Sequence, residues 1–559
     1  MGGKSMGKMM KSAIFVQEKI QYICRWRALY LLMLLVSLPL FSQGDASNHY
    51  APETIFAASD RCFACHNGLT TPTGEDVSIG TNWRASMMAN SARDPYWQAS
   101  VRRETIDHPN ASAAIEAECA VCHMPMSSYI AKAKNEESEV FAHLPFQPGS
   151  PLSQLAAEGV SCTVCHQIEH EGLGSKESFV GGFNINVNGT ESGRQLYGPF
   201  QVDAGRTKIM RSSTGFNPVE GNHIQKSELC ATCHTLYTKA LGPGGEVIGE
   251  LPEQVPYLEW LHSDFREVKS CQDCHMPVVA DAIPITSVLG NPREGVSRHV
   301  FLGGNFFMLR MLNRYRTDLG VTALPQELEL SAKRTIANLE SNSAEISIDN
   351  VERKEDHLKV EVSIKNLAGH KLPTAYPSRR VWLNLVVHQG NQVIFESGAI
   401  NEQGQILGND NDSDKNRFEP HYTEINSSGQ VQIYESIMAD PAGMPTTGLL
   451  SAVQFVKDNR LLPTGFDKTT ASKDIAVRGK AAQDPDFENG DRISYSIPLG
   501  NAGESLRVEA RLWYQPISFR WAENLREYKA IETERFVKYY DAMSSASAII
   551  LARASTEIN

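Results

Sequence analysis

No run of apolar residues reaches the ~18 that a membrane-spanning helix requires, so a polytopic membrane protein is excluded. A basic excess is missing too. The chain sets 53 Lys and Arg against 65 Asp and Glu, a net charge of −12 with a pI of about 5.8. Nucleic-acid binders need a basic surface to meet phosphates, which this balance does not supply. The phosphate-cradling glycine loop, the dinucleotide fingerprint and the G-x-S-x-G elbow are all lacking, which removes the motif-borne signs of nucleotide and hydrolase chemistry. A mostly disordered chain is excluded by the 41% hydrophobic content. At 559 residues the chain is long enough for roughly three to four domains.

Cysteine is what the sequence does have. There are 11, and ten of them form five C-x-x-C-H motifs. These are Cys62-Phe-Ala-Cys65-His66, Cys119-Ala-Val-Cys122-His123, Cys162-Thr-Val-Cys165-His166, Cys230-Ala-Thr-Cys233-His234 and Cys271-Gln-Asp-Cys274-His275. Two thiols three residues apart add across the two vinyl groups of one haem, and the next imidazole lies beneath the iron as axial ligand. A zinc ribbon needs two pairs per metal, which leaves five pairs odd and the histidines unexplained. A redox dithiol is single and sits in a βαβ pattern, and a disulfide framework does not repeat one spacing throughout. Five covalent haems c are expected, bound through those ten cysteines with His66, His123, His166, His234 and His275 as proximal ligands.

The N-terminus fits this cofactor. Residues 1–27 carry six basic residues and one acidic, followed by the 14-residue apolar run ALYLLMLLVSLPLF and then Ser42, Gln43 and Gly44. A basic region, a short apolar core and small residues at the exit describe a secretory signal over 1–44. The expected protein is exported, to the periplasm or its equivalent; an uncleaved signal acting as an anchor is the alternative. Cleavage removes Cys24, leaves no spare thiol, and takes the net charge to −17.

The motif starts are separated by 57, 43, 68 and 41 residues, so no fixed repeat exists. Turn-rich stretches such as HLPFQPGSP and LGPGGEVIGELPEQVP lie between them. The pattern predicts an α+β chain. A mostly helical, loop-rich pentahaem domain spans 55–320, with haem in place of a conventional core. A connecting helix follows over 326–342, apolar at Leu328, Leu330, Ile336 and Leu339. From 343 to 515 the period changes to two, at Leu358, Val360, Val362 and Ile364 and again at Val381, Leu383, Leu385 and Val387, which predicts an antiparallel β-sandwich. The tail, 516–559, reads as helical. Asp410, Asp412 and Asp414 begin like a calcium loop but lack its sixth-position Gly and twelfth-position Glu, so a solvated loop is expected.

With EGVSCTVCHQI, SELCATCHTLYT, PEQVPYLEWLHSDF before SCQDCHMP, and RHVFLGGN in view, residues 55–320 resemble the multihaem c-type cytochromes of the hydroxylamine-oxidoreductase-like superfamily. That group also holds tetrahaem electron carriers and pentahaem nitrite reductases. The segment NLAGHKLPTAYPSRRVWL looks like the C-terminal module that some of them carry. The nitrite reductases attach their catalytic haem through a motif ending in Lys. All five motifs here end in His, which argues against that activity.

Function turns on the sixth ligands. An iron held by two protein ligands passes electrons, whereas an open one binds a substrate. His223, seven residues before Cys230, His299 before VFLGGN, His143 and His370 in AGHKLP are the leading candidates, with Met88 (or Met87) as a thioether ligand. His108, His170 and His262 rank lower, and His357 and His388 read as structural. The expected function is relay of electrons between redox partner proteins, quinol-linked or periplasmic donors and acceptors, without nucleic acid. The alternative is a redox enzyme acting on a small nitrogen or sulfur compound as oxidant or reductant; Tyr129, Arg298 and Arg310 are donors it can use. Mass spectrometry of the exported protein is expected to show the processed chain plus five haem additions and no thiol-reactive cysteine. Fewer additions would refute the motif reading.

Overall fold

The computed structural model describes residues 55–147, 149–188, 193–354, 356–500 and 505–558. The export segment, Cys24 and His49 lie outside them. The chain is α+β: short helices and loops first, then antiparallel sheets. Five helices end in, or consist of, the cysteine motifs: α1 (Asp60–His66), α3 (Ser112–His123), α4 (Cys162–Cys165), α5 (Ser227–His234) and α6 (Cys271–His275). α2 (Pro95–Asp107) precedes α3 and starts sharply, because Asp94 accepts the Tyr96 and Trp97 N–H groups and Pro95 takes the first position. Apolar packing in this half is divided among small separate clusters, such as Leu69, Val77, Val279, Ile283 and Val296, or Phe179, Ala231 and Tyr257.

α7 (Phe306–Arg314) and α8 (Pro325–Asn342) lead out of this half and pack on each other. α8 is the longer of the two, at 18 residues. It begins with Pro325 at its first position and Glu327 reaching back to the Leu324 N–H at 2.9 Å.

The sandwich follows. β1 (Ala344–Lys354), β2 (His357–Asn366) and β5 (Gly490–Pro498) form one sheet in the order β1-β2-β5, with Glu424–Ile425 added parallel at its edge. The other runs β4-β3-β6-β7, where β3 is Arg380–Gln389, β4 Gln392–Ser397, β6 Leu506–Gln515 and β7 Ile549–Ile558. Leu358, Val360, Val362 and Ile364 face Val381, Leu383, Leu385 and Val387 within one continuous core. β3 is buried along nearly its whole length: Ile406, Val431 and Ile433 cluster with Trp382, and Ile433–Tyr434 also pairs beside it in the sheet.

Two features depart from the sequence reading. The tail is helical at Phe519–Asn524 and in α9 (Ile531–Asp541), but then becomes β7, paired with β6 from Tyr514↔Ile549 to Leu506↔Ile558. The apolar start IIL hides a period-two pattern that only pairing to an otherwise open edge reveals. The acidic stretch is not a solvated loop at its centre either. Asp412 is buried and bound by both terminal guanidinium nitrogens of Arg380 at 2.8 Å, and it also accepts the Ile406 N–H.

The two halves interlock. Glu104 of α2 accepts the Leu449 N–H at 2.8 Å, and Arg102 pairs with Glu532 of α9 at 2.9 Å. Within the sandwich, Asp412→Ala leaves a buried guanidinium without its partner, an expected cost of about 3–5 kcal/mol. Replacing both partners with apolar residues of similar volume is expected to cost much less. Denaturant unfolding followed by far-UV circular dichroism measures the difference.

Candidate functional site: five cysteine motifs and their histidines

A helical turn explains the motif geometry. Residues i, i+3 and i+4 share one helix face, so both thiols and the imidazole of C-x-x-C-H project to the same side. All ten motif cysteines are free of disulfides. Nine are partly covered, and Cys274 is exposed.

Four of the five motif histidines share an anchoring scheme. His66 Nδ1 bonds the Ile285 carbonyl at 2.7 Å, His123 the Ser91 carbonyl at 3.1 Å, His166 the Tyr197 carbonyl and His275 the Leu302 carbonyl. A carbonyl only accepts, so each Nδ1 carries the proton and each Nε2 keeps its lone pair. That is the tautomer a metal needs, oriented from behind. In three cases the contact is returned. The Tyr197 N–H donates to the His166 carbonyl at 2.6 Å, the Leu302 N–H to that of His275 at 2.9 Å, and Ser91 Oγ to that of His123 at 3.0 Å. Burial pushes the basicity of all five imidazoles down, to about 4 for His123 and His234, which favours the neutral, ligating form. Trp97 stacks flat on His123, with ring centres 4.4 Å apart.

Two distal candidates face motif histidines. His299 stands 6.3 Å from His166, centroid to centroid, with ring planes 19° apart, and His370 stands 6.2 Å from His275 with planes 14° apart. Two metal–nitrogen bonds of about 2.0 Å on opposite sides of one iron, plus roughly 1.1 Å from each Nε2 to its ring centre, require about 6.2 Å. His299 Nδ1 bonds the Ser297 carbonyl at 3.1 Å and His370 Nδ1 the Lys371 carbonyl at 2.9 Å, so all four rings leave Nε2 free. The donor set fits an iron with two axial imidazoles.

The remaining candidates sit differently. His223 gives its Nε2–H to the Ile168 carbonyl at 2.9 Å and meets Tyr197 edge-on. His143 ends a short turn at Phe141–His143 and is half-buried. Met88 packs against the apolar cluster of Met126, Ile130, Val160 and Val164. His223 lies near His166. His262 is bound to the Asp467 carbonyl at 2.9 Å, and Arg298 is held by both oxygens of Glu75.

The motifs lie together. Thiols of different motifs are near neighbours: Cys62 and Cys162, Cys122 and Cys233, and Cys230 and Cys271. Cys165 is coupled electrostatically to Cys230 and Cys233. The same neighbours recur among the imidazoles, with His66 beside His166, His123 beside His234, and His234 beside His275.

No family model and no curated protein sequence matches the chain. A solved structure shares its fold: a penta-heme cytochrome c552 from Thermochromatium tepidum, at a TM-score of 0.52 and 16% identity, covering 90% of this chain and 100% of that one.

A second cluster resembles a metal site and is not one. His421, Asp484 and Asp491 meet in the sandwich, with His421 Nε2 3.0 Å from Asp484. His421 Nδ1, however, faces the amide groups of Gln432 at 2.8 Å and Asn459 at 3.1 Å. Gln432 Oε1 accepts the Tyr422 N–H, and Asn459 Nδ2 also donates to the Ile433 carbonyl, so both nitrogens are donors and Nδ1 is the acceptor. The proton is therefore on Nε2, where a metal would have to bind. Added zinc is expected to leave the thermal midpoint unchanged, because only a ligand bound by the native state raises it. Elemental analysis is expected to find iron alone.

Proposed function

We propose that this chain is an exported multihaem c-type cytochrome with five covalent haems, relaying electrons between redox partner proteins. The observation that carries the reading is the facing of His299 to His166 and of His370 to His275, each at the spacing of one iron's two axial ligands. Iron held on both sides by imidazole has no position for a substrate, and its use is to accept and pass on an electron. The adjacency of all five motifs supports relay, since transfer needs cofactors in close succession. The penta-heme cytochrome of similar fold agrees with the haem count.

In this role the chain's own residues hold and orient the groups. The cysteines fix each haem covalently. The Ser91, Tyr197, Ile285 and Leu302 carbonyls hold four of the five motif imidazoles in one tautomer. Cys274 lies at the surface, and Val268 and Val278, close to it in sequence, are exposed as well, so the fifth site is where a partner protein is expected to meet the array. Donors and acceptors are quinol-linked or periplasmic proteins on this reading.

The competing reading is reaction of a small nitrogen or sulfur compound at a haem with an open axial position, the motifs of His66, His123 and His234 being the candidates. Low-temperature electron paramagnetic resonance of the oxidised protein separates the two. Low-spin signals are expected to dominate, and His299→Ala and His370→Ala are each expected to convert one haem equivalent toward high spin and shift one midpoint potential. A full equivalent of high-spin haem in the unmutated protein that binds nitrite, hydroxylamine or sulfite would establish the enzyme instead.

A further inference from the structure

We infer that Glu259 is the positioning residue for His370, and through it controls the ligation and potential of the fifth haem site; this rests on reading His275 and His370 as one iron's ligand pair. Glu259 belongs to the first half of the chain, on the turn of helix Pro256–Leu261, yet its side chain is fully buried against the sandwich. Oε2 accepts the Lys371 N–H at 3.1 Å and the Thr374 hydroxyl at 2.6 Å, on either side of the cis Leu372-Pro373 bond. Oε1 is ion-paired to Arg460 at 3.0 Å. One carboxylate thus grips the residue that follows His370 and a second residue four beyond it.

The rest of the loop is held on both sides. Ser263 Oγ donates to the Gly369 carbonyl at 3.0 Å from the haem-bearing half, and Asn366 Nδ2 donates to the His370 carbonyl at 2.8 Å from the sandwich. Gly369 passes so near Phe265 that an added Cβ would lie 3.1 Å from that ring. The charges balance within the group. Glu259 and Asp458 face Arg460 and Lys371, with Lys371 Nζ 2.7 Å from Asp458 and Arg460 bonded to Asp458 at 2.7 and 2.8 Å. A charge here is fully desolvated and little screened, so removing one anion leaves an excess of positive charge beside the ligand loop. Excess positive charge near an iron favours its reduced form.

Two substitutions separate grip from charge. Glu259→Gln keeps an oxygen for Lys371 and Thr374 but loses the charge, so all haems are expected to stay low-spin while one midpoint potential rises. Glu259→Ala loses both, so one haem equivalent is expected to turn high-spin, as in His370→Ala, and added imidazole is expected to restore low spin. If Glu259→Ala does not accumulate, the Glu259→Gln potential decides. Unchanged potentials in Glu259→Gln, or a fully low-spin Glu259→Ala beside a high-spin His370→Ala, would overturn the role of Glu259 alone. A His370→Ala protein that stays entirely low-spin would overturn the ligand pair and the inference together.

Discussion

The structure depends on one requirement: a buried imidazole must stay neutral, with one nitrogen bare and the other tied. Desolvation supplies the first condition by penalising the charged ring. The hydrogen bond from Nδ1 to a backbone carbonyl supplies the second. Each such carbonyl comes from a distant stretch: Ile285 for His66, Ser91 for His123, Tyr197 for His166 and Leu302 for His275. The tautomer is therefore a tertiary contact. Much of the loop path in the first half follows from bringing those carbonyls behind those rings. The returned bonds at Ser91, Tyr197 and Leu302 make each anchor two-sided, so that ring and backbone are fixed together.

The sandwich extends this logic. A loop between strands is a poor place for a ligand unless its backbone is held, since loops are the mobile parts of a fold. Here the strands on either side, β2 and β3, are buried in the main core, and Leu372 pairs in both directions with Leu461. Glu259 and Ser263 close the remaining side from the other half of the chain. Splitting the grip between the halves makes correct docking of the sandwich a condition for presenting His370. A free sandwich therefore lacks part of what orients that ring.

The parts of this arrangement differ in how plainly they stand in the sequence. The C-x-x-C-H motifs are legible because their chemistry is local, three side chains on one helical turn. The strand period of β2 is legible because it buries one face at every second residue, and that of β3 because Val381, Leu383, Leu385 and Val387 alternate toward the main core although its other face is covered too. His299 and His370 stand out through their glycine-rich surroundings, and the structure brings both to motif histidines. His223 has equally suggestive surroundings next to Cys230, but its ring is turned to the Ile168 carbonyl. The anchoring carbonyls could not be read at all, because a backbone acceptor carries no residue signature. Glu259 was hidden for another reason. In YLEWLHSDF it looks like an ordinary surface acid on a short helix, and only the approach of Arg460 and Lys371, 201 and 112 residues away, makes its burial tolerable. β7 was masked by its apolar first turn, and Asp412 by its acidic neighbours.

The neighbour relations also bear on how a relay of this shape would work. Neighbouring thiols relate the first motif to the third, the second to the fourth, and the fourth to the fifth, and the electrostatic neighbours among the imidazoles repeat the same three relations. Cys165 adds the link from third to fourth. On the proposed reading, an array with these neighbours is branched, with the motif of Cys230–His234 beside three others. A linear wire has two ends and one sequence of steps, whereas a branched one has a junction through which electrons from any arm must pass. His234 is the motif histidine at that junction, and Arg379 is electrostatically coupled to it and to His275 and His370. A fixed positive charge there lowers the energy of an added electron on two neighbouring sites at once. On the proposed reading, the junction and the exposed fifth site are biased together, which draws electrons toward the one arm whose thiol reaches the surface.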